Sequence, residues 1–326
     1  MSRYAQIVST GRYVPERVLT NAELDQMLGE PVGEWLVQNV GIRERHLMRD
    51  DQVTSDLAVE AAKEALMRAN LAPDQVDLII LATDTPDYIS PGTASVVQYK
   101  LGAARAATFD VNNACAAWLT GLDIAAKYIA TDLDYTNILV IGAYGMTRYV
   151  DWTDKRTCTL FADGAGAVVL RAGDQPGFLG AKIIADGSFH DYMGVFVGGT
   201  RATLRHSADQ YLRNQKRFPP DTNQRHWTPL IRDLLQKIGR QVGDVAKIYF
   251  TQLNLRTIEY VMNELGLPMS KTHTIMEKWG YTGSACMPMA LDDAIQQGAA
   301  PQKGDLVLFV ASGAGYTMGA AAFVWV

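Results

Sequence analysis

Three pairs of similar segments recur along the 326-residue chain at a spacing of 168 or 169 residues, and this regularity constrains the fold more than any other feature. Each pair is either an apolar run rich in β-branched residues or a stretch with apolar residues at helical spacing. The pairs are Val76–Thr83 with Val245–Gln252, Leu122–Ala125 with Leu291–Ile295, and Asn137–Ala143 with Asp305–Ala311. All α/β chains alternate strands and helices, but a near-constant offset indicates duplication. The spacing therefore predicts two similar halves, residues 1–172 and 173–326.

Each half is expected to alternate strands with helices. The predicted strands are Val76–Thr83, Asn137–Gly142, Ala167–Leu170, Val245–Gln252 and Asp305–Ala311, and the predicted helices are Ser55–Asn70, Ala114–Ala130, Leu230–Gly239 and Ala285–Ile295. Two such halves around a pseudo-twofold axis predict an α/β fold with the layers α/β/α/β/α. Small residues at the start of the two inner helices would let them pack closely between the sheets.

Composition narrows the function classes. Hydrophobic residues make up 48% of the chain, enough for a large core, and the net charge of −5 gives no basic excess for general binding to nucleic acid or membrane surfaces. No apolar stretch approaches the length of a membrane span, and the first ten residues lack the pattern of a signal peptide. The three cysteines are too few for a disulfide framework, so we expect a cytoplasmic protein.

Neither a nucleotide site nor a metal site is expected. The glycines of Asp163–Gly166 precede a predicted strand and lack the phosphate-loop spacing, so this segment is interpreted as a tight turn. The five histidines show no metal-ligand spacing, and the chain has no pair of cysteines separated by two residues. The histidines are His46, His190, His206, His226 and His273.

Cys115 is the one cysteine with a chemical setting of its own. It follows the strand-like run Ala107–Val111 and stands at the start of a predicted helix. The positive end of the helix dipole favours a thiolate there, and the Cys115 N–H would be free to donate to an oxyanion. A buried packing residue is the alternative, and it is the interpretation given to Cys158 and Cys286.

The chain as a whole resembles the 3-ketoacyl-acyl-carrier-protein synthase III family of the thiolase superfamily. The segments that carry the resemblance, in family order, are Ser9–Asn21, Val40–Arg45, Asp110–Ala117, Asp151–Leu170, Gln252–Arg256, Lys278–Pro288 and Gly313–Gly319. The resemblance implies a thiolase-like duplicated five-layered fold and a homodimer. It implies that Cys115 is a nucleophile acylated by a thioester of coenzyme A or of an acyl carrier protein. It also implies an oxyanion hole formed by the backbone N–H groups of Cys115 and Gly315.

Two family side chains that assist decarboxylative condensation are replaced here. The His of the family's His-Gln-Ala-Asn motif is Thr251, and the Asn of its Gly-Asn-Thr-Ser motif is Tyr281. A Thr hydroxyl cannot become cationic, and a Tyr hydroxyl donates a single hydrogen bond on a bulky ring. Losing one such donor typically slows catalysis about 100–1,000-fold. The sequence therefore predicts a divergent member of the family.

Three functions remain compatible with these replacements. The protein can still condense, with Tyr281 or a water as donor. It can pass the acyl group from Cys115 to an amine, a hydroxyl or an activated carbon without decarboxylation, in a specialised pathway. Or it can be a non-catalytic subunit of a heterodimeric synthase. The preferred interpretation is an acyltransferase with a Cys115 thioester intermediate and no permanently bound cofactor.

The resemblance also assigns residues to the donor thioester. Trp35 matches an indole that stacks on the adenine of coenzyme A, Lys155 stands at a family arginine, and Arg256 matches an arginine associated with carrier-protein docking. Asn254, the last residue of the motif that begins at Thr251, is grouped with them as donor-binding. The family arginine four residues after the indole is Asn39 here, which makes a carrier-protein donor more plausible than free coenzyme A.

Several other residues are weighed without a firm role. A basic segment, residues 213–225, is expected either to bind an acidic carrier protein or to be a solvated loop. Its cations are Arg213, Lys216, Arg217 and Arg225. Ser90 stands in a loop, residues 88–92, that the family contributes to the partner's acyl pocket, which predicts a roomier pocket. His273 and His190 are secondary candidates for a base. Asp84 and Glu277 are interpreted as turn or solvated residues.

Overall fold

The computed structural model describes residues 3–200 and 210–326, so His206 lies outside the described residues. The strands are β1 Tyr4–Tyr13, β2 Arg17–Thr20, β3 Glu44–Leu47, β4 Leu78–Ala82, β5 Ala107–Val111, β6 Asn137–Gly145, β7 Asp163–Gly173, β8 Phe178–Ala185, β9 Met193–Val195, β10 Leu212–Asn214, β11 Val245–Phe250, β12 Leu306–Gly313 and β13 Thr317–Val324. The helices are α1 Asn21–Leu28, α2 Gly33–Asn39, α3 Thr54–Arg68, α4 Thr93–Leu101, α5 Ala117–Thr131, α6 Thr222–Lys237, α7 Leu255–Glu264, α8 Met276–Trp279 and α9 Cys286–Gln296.

The two main sheets have the same internal order, which is the structural counterpart of the 168–169-residue spacing. The first sheet runs β1-β7-β6-β4-β5 and the second runs β8-β13-β12-β11. Each sheet contains a parallel pair, β4 with β6 in the first and β11 with β12 in the second, and the next pairing, β6 with β7 or β12 with β13, is antiparallel. The place of β5 is taken in the second sheet by a single parallel bridge between Ile248 and Thr272. Two short pairs, β2-β3 and β9-β10, lie outside these sheets.

The sheets and helices stack in the predicted five layers. Helix α3 packs on the outer face of the first sheet, against β1, β6 and β7. Helices α5 and α9 form the middle layer, since α5 contacts strands of both sheets and α9 contacts β1, β7 and β11. Helix α6 covers the second sheet and packs against α7. The expected α/β/α/β/α architecture is confirmed; the boundary between residues 172 and 173 stays a prediction.

The expected tight turn at Asp163–Gly166 is wrong, because these residues form the first part of β7. The glycines serve helix packing. A Cβ at Gly166 would lie 2.7 Å from the backbone N of Met289, and one at Gly164 would lie 3.0 Å from the Met289 side chain. Only a strand without side chains at these positions lets the middle-layer helix α9 approach this closely.

Two hydrophobic cores lie on opposite faces of the first sheet. Alternate residues of β4 divide between them: Leu78, Ile80 and Ala82 join the inner core with α5 and α9, whereas Ile79 and Leu81 join the outer core with α3. This alternation follows from the two-residue period of a strand. It also fixes which residues beyond the strand ends face the middle layer, where Cys115 lies.

Candidate active site

Cys115 lies where three parallel strands of the first sheet end together. Strands β5, β4 and β6 are neighbours, and the register pairs Ala82 with both Val111 and Gly142. Cys115 follows β5 by four residues and is 5% exposed. The residue before it, Ala114, has a φ of 45°, a left-handed conformation that is uncommon outside glycine. This backbone turn separates the end of β5 from the start of α5.

The expected thiolate at Cys115 is not what the structure favours. Burial raises the pKa of Cys115 well above its ordinary value, and the neighbouring Asp84 carboxylate raises it further. Helix α5 begins two residues later, at Ala117, so the dipole is too weak to offset this desolvation. Burial therefore favours the neutral thiol form of Cys115.

Tyr281 lies beside Cys115. The interaction of its hydroxyl with the sulfur lowers the pKa of Cys115, against the larger effect of burial. The Tyr281 backbone is fixed by two bonds to the strand-like segment opposite, an N–H to Leu160 O and a carbonyl to Ala162 N, both at 2.9 Å. Burial and the nearby thiols raise the pKa of Tyr281 itself, so its hydroxyl stays protonated.

The large ring of Tyr281 packs in a cluster with two other aromatic rings. Its ring centroid lies 5.6 Å from Phe161 and 6.4 Å from Tyr144. Gly283, with a φ of 47°, makes room for this cluster, because a Cβ there would lie 2.3 Å from the Tyr144 ring. The replacement at Tyr281 is thus matched by a glycine two residues later.

A glycine-rich turn from the second half abuts the Cys115 backbone. A Cβ on Gly313 would lie 2.8 Å from Asn113 O and 3.1 Å from the N of Cys115. Gly315, two residues on, has a φ of 76° and no atom within 4 Å of an added Cβ, so it faces open space. Within residues 3–200 and 210–326, the N–H groups of Cys115 and Gly315 have no recorded acceptor. Both N–H groups are thus free to donate to a ligand, and Gly313 brings the base of the turn against the Cys115 backbone.

Thr251 is tied to this turn instead of to the sulfur. It is 1% exposed, and its hydroxyl accepts a hydrogen bond from the N–H of Ser312 at 3.1 Å. Its own N–H donates to Val310 O. Thr251 therefore supports the base of the turn that ends beside Cys115.

Asp84 is the residue that sequence reasoning missed. It follows β4 by two residues, and one oxygen of its carboxyl group, Oδ1, is buried without a hydrogen-bond partner in the described part of the chain. Burial raises the pKa of Asp84 to about 6. Its charge acts on Cys115, Tyr144 and Tyr149, which shows that it faces the same site. An isolated Asp after a strand resembles a turn residue in sequence, and only its position two residues beyond an inner-facing residue could have indicated this.

The four donor-binding candidates gather around helix α2. Trp35 on α2 is 60% exposed, so core packing is excluded and one face of the indole is open. The Asn254 amide donates to Asn39 O at 3.3 Å, and its oxygen caps α7 by accepting from Thr257 N at 3.2 Å. Arg256 is exposed on the first turn of α7. Lys155 pairs with Glu30, just before α2, at 2.6 Å.

The basic segment is largely neutralised. Arg213 pairs with Asp151 at 2.8 Å, Lys216 with Asp191 at 2.7 Å, and Arg225 with Asp221. These pairs leave little net positive charge for a docking partner.

None of the described histidines is placed at the sulfur. His273 bonds Asp293 at 2.8 Å and lines a surface cavity with Arg43 and Lys278, whereas His190 is exposed. His226 is the imidazole nearest the glycine turn, since its ring lies 5.2 Å from that of Tyr316.

Cys158 and Cys286 are fully buried, as expected for packing residues, and all three cysteines are free thiols. Among the described residues there is no group of three or more His, Cys, Asp or Glu side chains able to hold a metal ion. No described helix is both long and apolar enough to cross a membrane.

Comparison with known proteins decides the family. Residues 109–187 match the family model for 3-oxoacyl-[acyl-carrier-protein] synthase III, and residues 235–325 match the model for its C-terminal part. The β-ketoacyl-[acyl-carrier-protein] synthase III of Xanthomonas campestris is 39% identical over 328 positions, covering 98% of this chain and 97% of the relative. The chain belongs to the 3-oxoacyl-[acyl-carrier-protein] synthase III family.

Solved structures agree with this assignment. The synthase III from Aquifex aeolicus is 34% identical, covers 98% of this chain and 100% of its own, and superposes with a TM-score of 0.90. The priming β-ketosynthase of the R1128 polyketide pathway is 27% identical, with coverages of 99% and 97% and a TM-score of 0.91. The chain therefore has the thiolase-like fold and is an acyltransferase-type enzyme.

Proposed function

We propose that this synthase III relative transfers acyl groups through a thioester on Cys115. The observation that carries the proposal is the contact between the two halves at the Cys115 backbone, where Gly313 packs against the N of Cys115, while the N–H of Gly315 has no acceptor in the described part of the chain. Two such N–H groups match the needs of the tetrahedral oxyanion formed when a thioester is attacked. The reaction is then ping-pong: a donor thioester acylates Cys115, and an acceptor takes the acyl group.

The donor would approach over α2. The open indole of Trp35 offers a stacking surface for an adenine, and the exposed Arg256 offers a cation to a phosphate or an acidic carrier. Lys155 is already paired with Glu30, and Asn254 already caps a helix, so both contribute less than the family pattern implies. This balance favours a phosphopantetheine thioester on a carrier protein over free coenzyme A. The donor is a substrate, and the proposal includes no permanently bound cofactor.

The acceptor step is proposed to proceed without decarboxylation, in a specialised pathway. Tyr281 supplies one neutral donor at the sulfur, while the Thr251 hydroxyl is directed to Ser312 N. An enolate formed from malonyl thioester would therefore lack the imidazole and amide donors that the family pattern provides. Transfer to a nucleophile that carries its own lone pair needs no enolate stabilisation.

Decarboxylative condensation is the second candidate. It is favoured by the 39% identity to a β-ketoacyl-[acyl-carrier-protein] synthase III over nearly the full length of both chains. In this case Tyr281 would donate to the enolate oxygen.

The enzyme is further proposed to be a homodimer in the cytoplasm. Strand β5 is the edge of the first sheet, and apolar residues are exposed near it, with Tyr99 85% and Ile89 77% exposed. An uncovered edge strand flanked by apolar side chains is a surface that a second copy would cover. The loop of residues 88–92 would then reach the partner, where Ser90 leaves room for a larger acyl group. A heterodimer with an active homologue is the alternative pairing.

Intact-protein mass spectrometry after mixing with acyl-coenzyme A and acyl-carrier thioesters tests the function. The expected result is a mass gain that peptide mapping places on Cys115, and a wider acyl range than acetyl alone. Persistence of the adduct when malonyl thioester is added supports transfer without decarboxylation, whereas release of a ketoacyl product supports the second candidate. If no donor labels the protein, the chain is instead a non-catalytic subunit.

A further inference from the structure

We propose that Asp84 is the proton-transfer residue of this active site, taking the proton of the Cys115 thiol and later that of the acceptor. The inference rests on the proposed acyl transfer through Cys115 and adds to it the base that the sequence pattern lacks.

Asp84 lies on the side of the sheet that carries Cys115. Leu78, Ile80 and Ala82 of β4 face the inner core that contains Cys115. Asp84 follows the end of this strand by two residues, and its charge acts on Cys115 and Tyr144, two members of that core. Tyr144 has the matching position on β6, two residues beyond Gly142, and it also belongs to the inner core.

The two threonines on either side of Asp84 are turned the other way. Thr85 accepts from Gly145 N at 2.9 Å through its hydroxyl, and its carbonyl accepts from the Thr54 hydroxyl of α3 at 2.6 Å. The Thr83 hydroxyl accepts from Thr85 N at 3.0 Å. These bonds, to β6, to the outer helix α3 and between the two threonines, hold the backbone after β4 in place.

Asp84 is partly buried, and the buried oxygen of its carboxyl group has no structural task. Oδ1 of Asp84 has no hydrogen-bond partner, and no cation among the described residues pairs with it. The titratable groups that it faces are Cys115, Tyr144 and Tyr149. Buried carboxyl groups are normally bonded or paired, so an unpartnered one beside a nucleophile is expected to have a chemical role.

Asp84 is also the one group of this set that is ionised at neutral pH. Burial places its pKa at about 6, so most of it is carboxylate at pH 7. Burial raises the pKa of Tyr144 and Tyr281 well above their ordinary value, so both can donate but neither can accept the thiol proton. A base with a pKa just below the working pH is suited to this transfer.

The proposed proton transfers balance in both half-reactions. As the Cys115 sulfur attacks the donor carbonyl, its proton passes to Asp84; the donor carbon–sulfur bond then breaks, and the departing thiolate recovers that proton. In the second half-reaction an O–H or N–H acceptor attacks the acyl carbonyl and gives its proton to Asp84. The bond to the Cys115 sulfur breaks, and the sulfur takes the proton back.

This role favours an alcohol or amine acceptor. A carboxylate beside the sulfur repels the carboxylate of a malonyl group and the enolate that decarboxylation would form. It assists an acceptor that must lose a proton as it attacks. Water is the simplest O–H acceptor, so hydrolysis of the acyl-enzyme serves as a probe of the second step.

The test compares wild type with Asp84→Asn, and uses Asp163→Asn as the matched control. Asp163 is also buried with a pKa raised to about 6 and also acts on Tyr144, but its oxygens accept from Met48 N and from Thr147. Rapid mixing with the thioester that labels wild type gives the acylation rate from pH 5 to 9. A second readout is alkylation of Cys115 by iodoacetamide at pH 9, where preformed thiolate reacts.

In wild type the acylation rate should rise with pH and level off above about 6. In Asp84→Asn it should fall at least about 100-fold at pH 7.5, lose that pH dependence, and leave any acyl-enzyme more resistant to hydrolysis. Alkylation should become faster in the same variant, because removing the carboxylate lowers the pKa of Cys115. Asp163→Asn should keep the wild-type pH profile.

Equal acylation by Asp84→Asn and wild type would overturn the inference and leave the proposed function standing. So would a parallel loss of acylation and alkylation, which indicates a distorted site, or loss of the pH profile in His226→Asn instead. A wild-type protein that no thioester labels would instead overturn the proposed function on which the inference rests.

Discussion

In both halves a middle-layer helix begins close to the end of an inner strand, but the side chains that surround the cysteine at the helix start differ. Cys115 stands just before α5, and Cys286 begins the matching helix α9. Both thiols are buried, and burial raises the pKa of Cys286 to about 12. Cys286 interacts with the backbone N–H groups of Gln252 and Met287, whereas Cys115 meets the side chains of Asp84 and Tyr281.

The residues after the equivalent strands β4 and β11 show the same contrast. Gln252 uses its whole amide: it donates to Phe250 O at 3.1 Å and to His273 O at 3.2 Å, and accepts from Ile275 N at 3.0 Å. Asp84 leaves a buried oxygen unbonded. The contrast is confined to this position of the duplicated scaffold: the residue two places after the strand is fully bonded in the second half and leaves one buried oxygen unbonded in the half that carries Cys115.

The largest expected effect comes from the contact between the halves. Gly313→Ala forces a Cβ against Asn113 O and the N of Cys115, so the N–H of Cys115 should move away from the oxyanion. Acyl transfer should fall about 100–1,000-fold in a thioester assay. Gly243→Ala adds a Cβ with no atom within 4 Å and should leave the rate unchanged. Equal rates in both variants would show that the glycine turn is not part of the site.

Removing the amide of Gln252 should be the largest effect on stability alone. Gln252→Leu leaves two carbonyls and one N–H without their partner, which should lower the free energy of unfolding by about 3 kcal/mol. Urea unfolding measures this difference. A variant as stable as wild type would contradict the structural role assigned to the second half.

Tyr281 and Tyr249 are both buried tyrosines, but Tyr281 lies beside Cys115 and Tyr249 lies on β11. Tyr281→Phe removes the donor beside Cys115 and should slow acylation about tenfold, because one hydrogen bond to the thiolate is lost. The Tyr249 hydroxyl on β11 has no hydrogen-bond partner among the residues that the structure describes, so Tyr249→Phe should leave acylation unchanged. A slower Tyr249→Phe variant would show that the loss at Tyr281 reflects packing.

The smallest expected effect is a pH-dependent gain in stability. The pKa of Asp84 is raised from 3.8 to about 6 by burial, so its neutral form stabilises the folded state below about pH 4, and this contribution is lost as the pH rises through 6. An Asn at this position stays neutral at every pH, so Asp84→Asn should raise the unfolding free energy by about 1 kcal/mol at pH 7. Thermal unfolding at pH 4 and 7 should show the gain only at pH 7; a destabilised variant at pH 7 would assign Asp84 a structural role.

The layers could be predicted from the sequence because the offset of the apolar segments encodes the duplication. The turn predicted at Asp163–Gly166 was wrong, because these residues begin β7. The glycines are needed there because α9 packs closely against the strand, a tertiary contact that the local sequence pattern does not show. The effect of burial on Cys115 could not be predicted from the sequence either: it raises the pKa of the thiol, opposite to the effect expected from a nearby helix start. Asp84 was missed because its importance depends on strand register and on the absence of a partner, which only the packed structure shows.

The central claim is that Cys115, not its counterpart Cys286, carries the acyl group. Competitive labelling of wild type, Cys115→Ala and Cys286→Ala with one acyl thioester, read by intact-protein mass spectrometry, tests it most directly. The account predicts one acyl adduct on wild type and on Cys286→Ala, and none on Cys115→Ala. An adduct that survives Cys115→Ala, or that disappears only in Cys286→Ala, would contradict it.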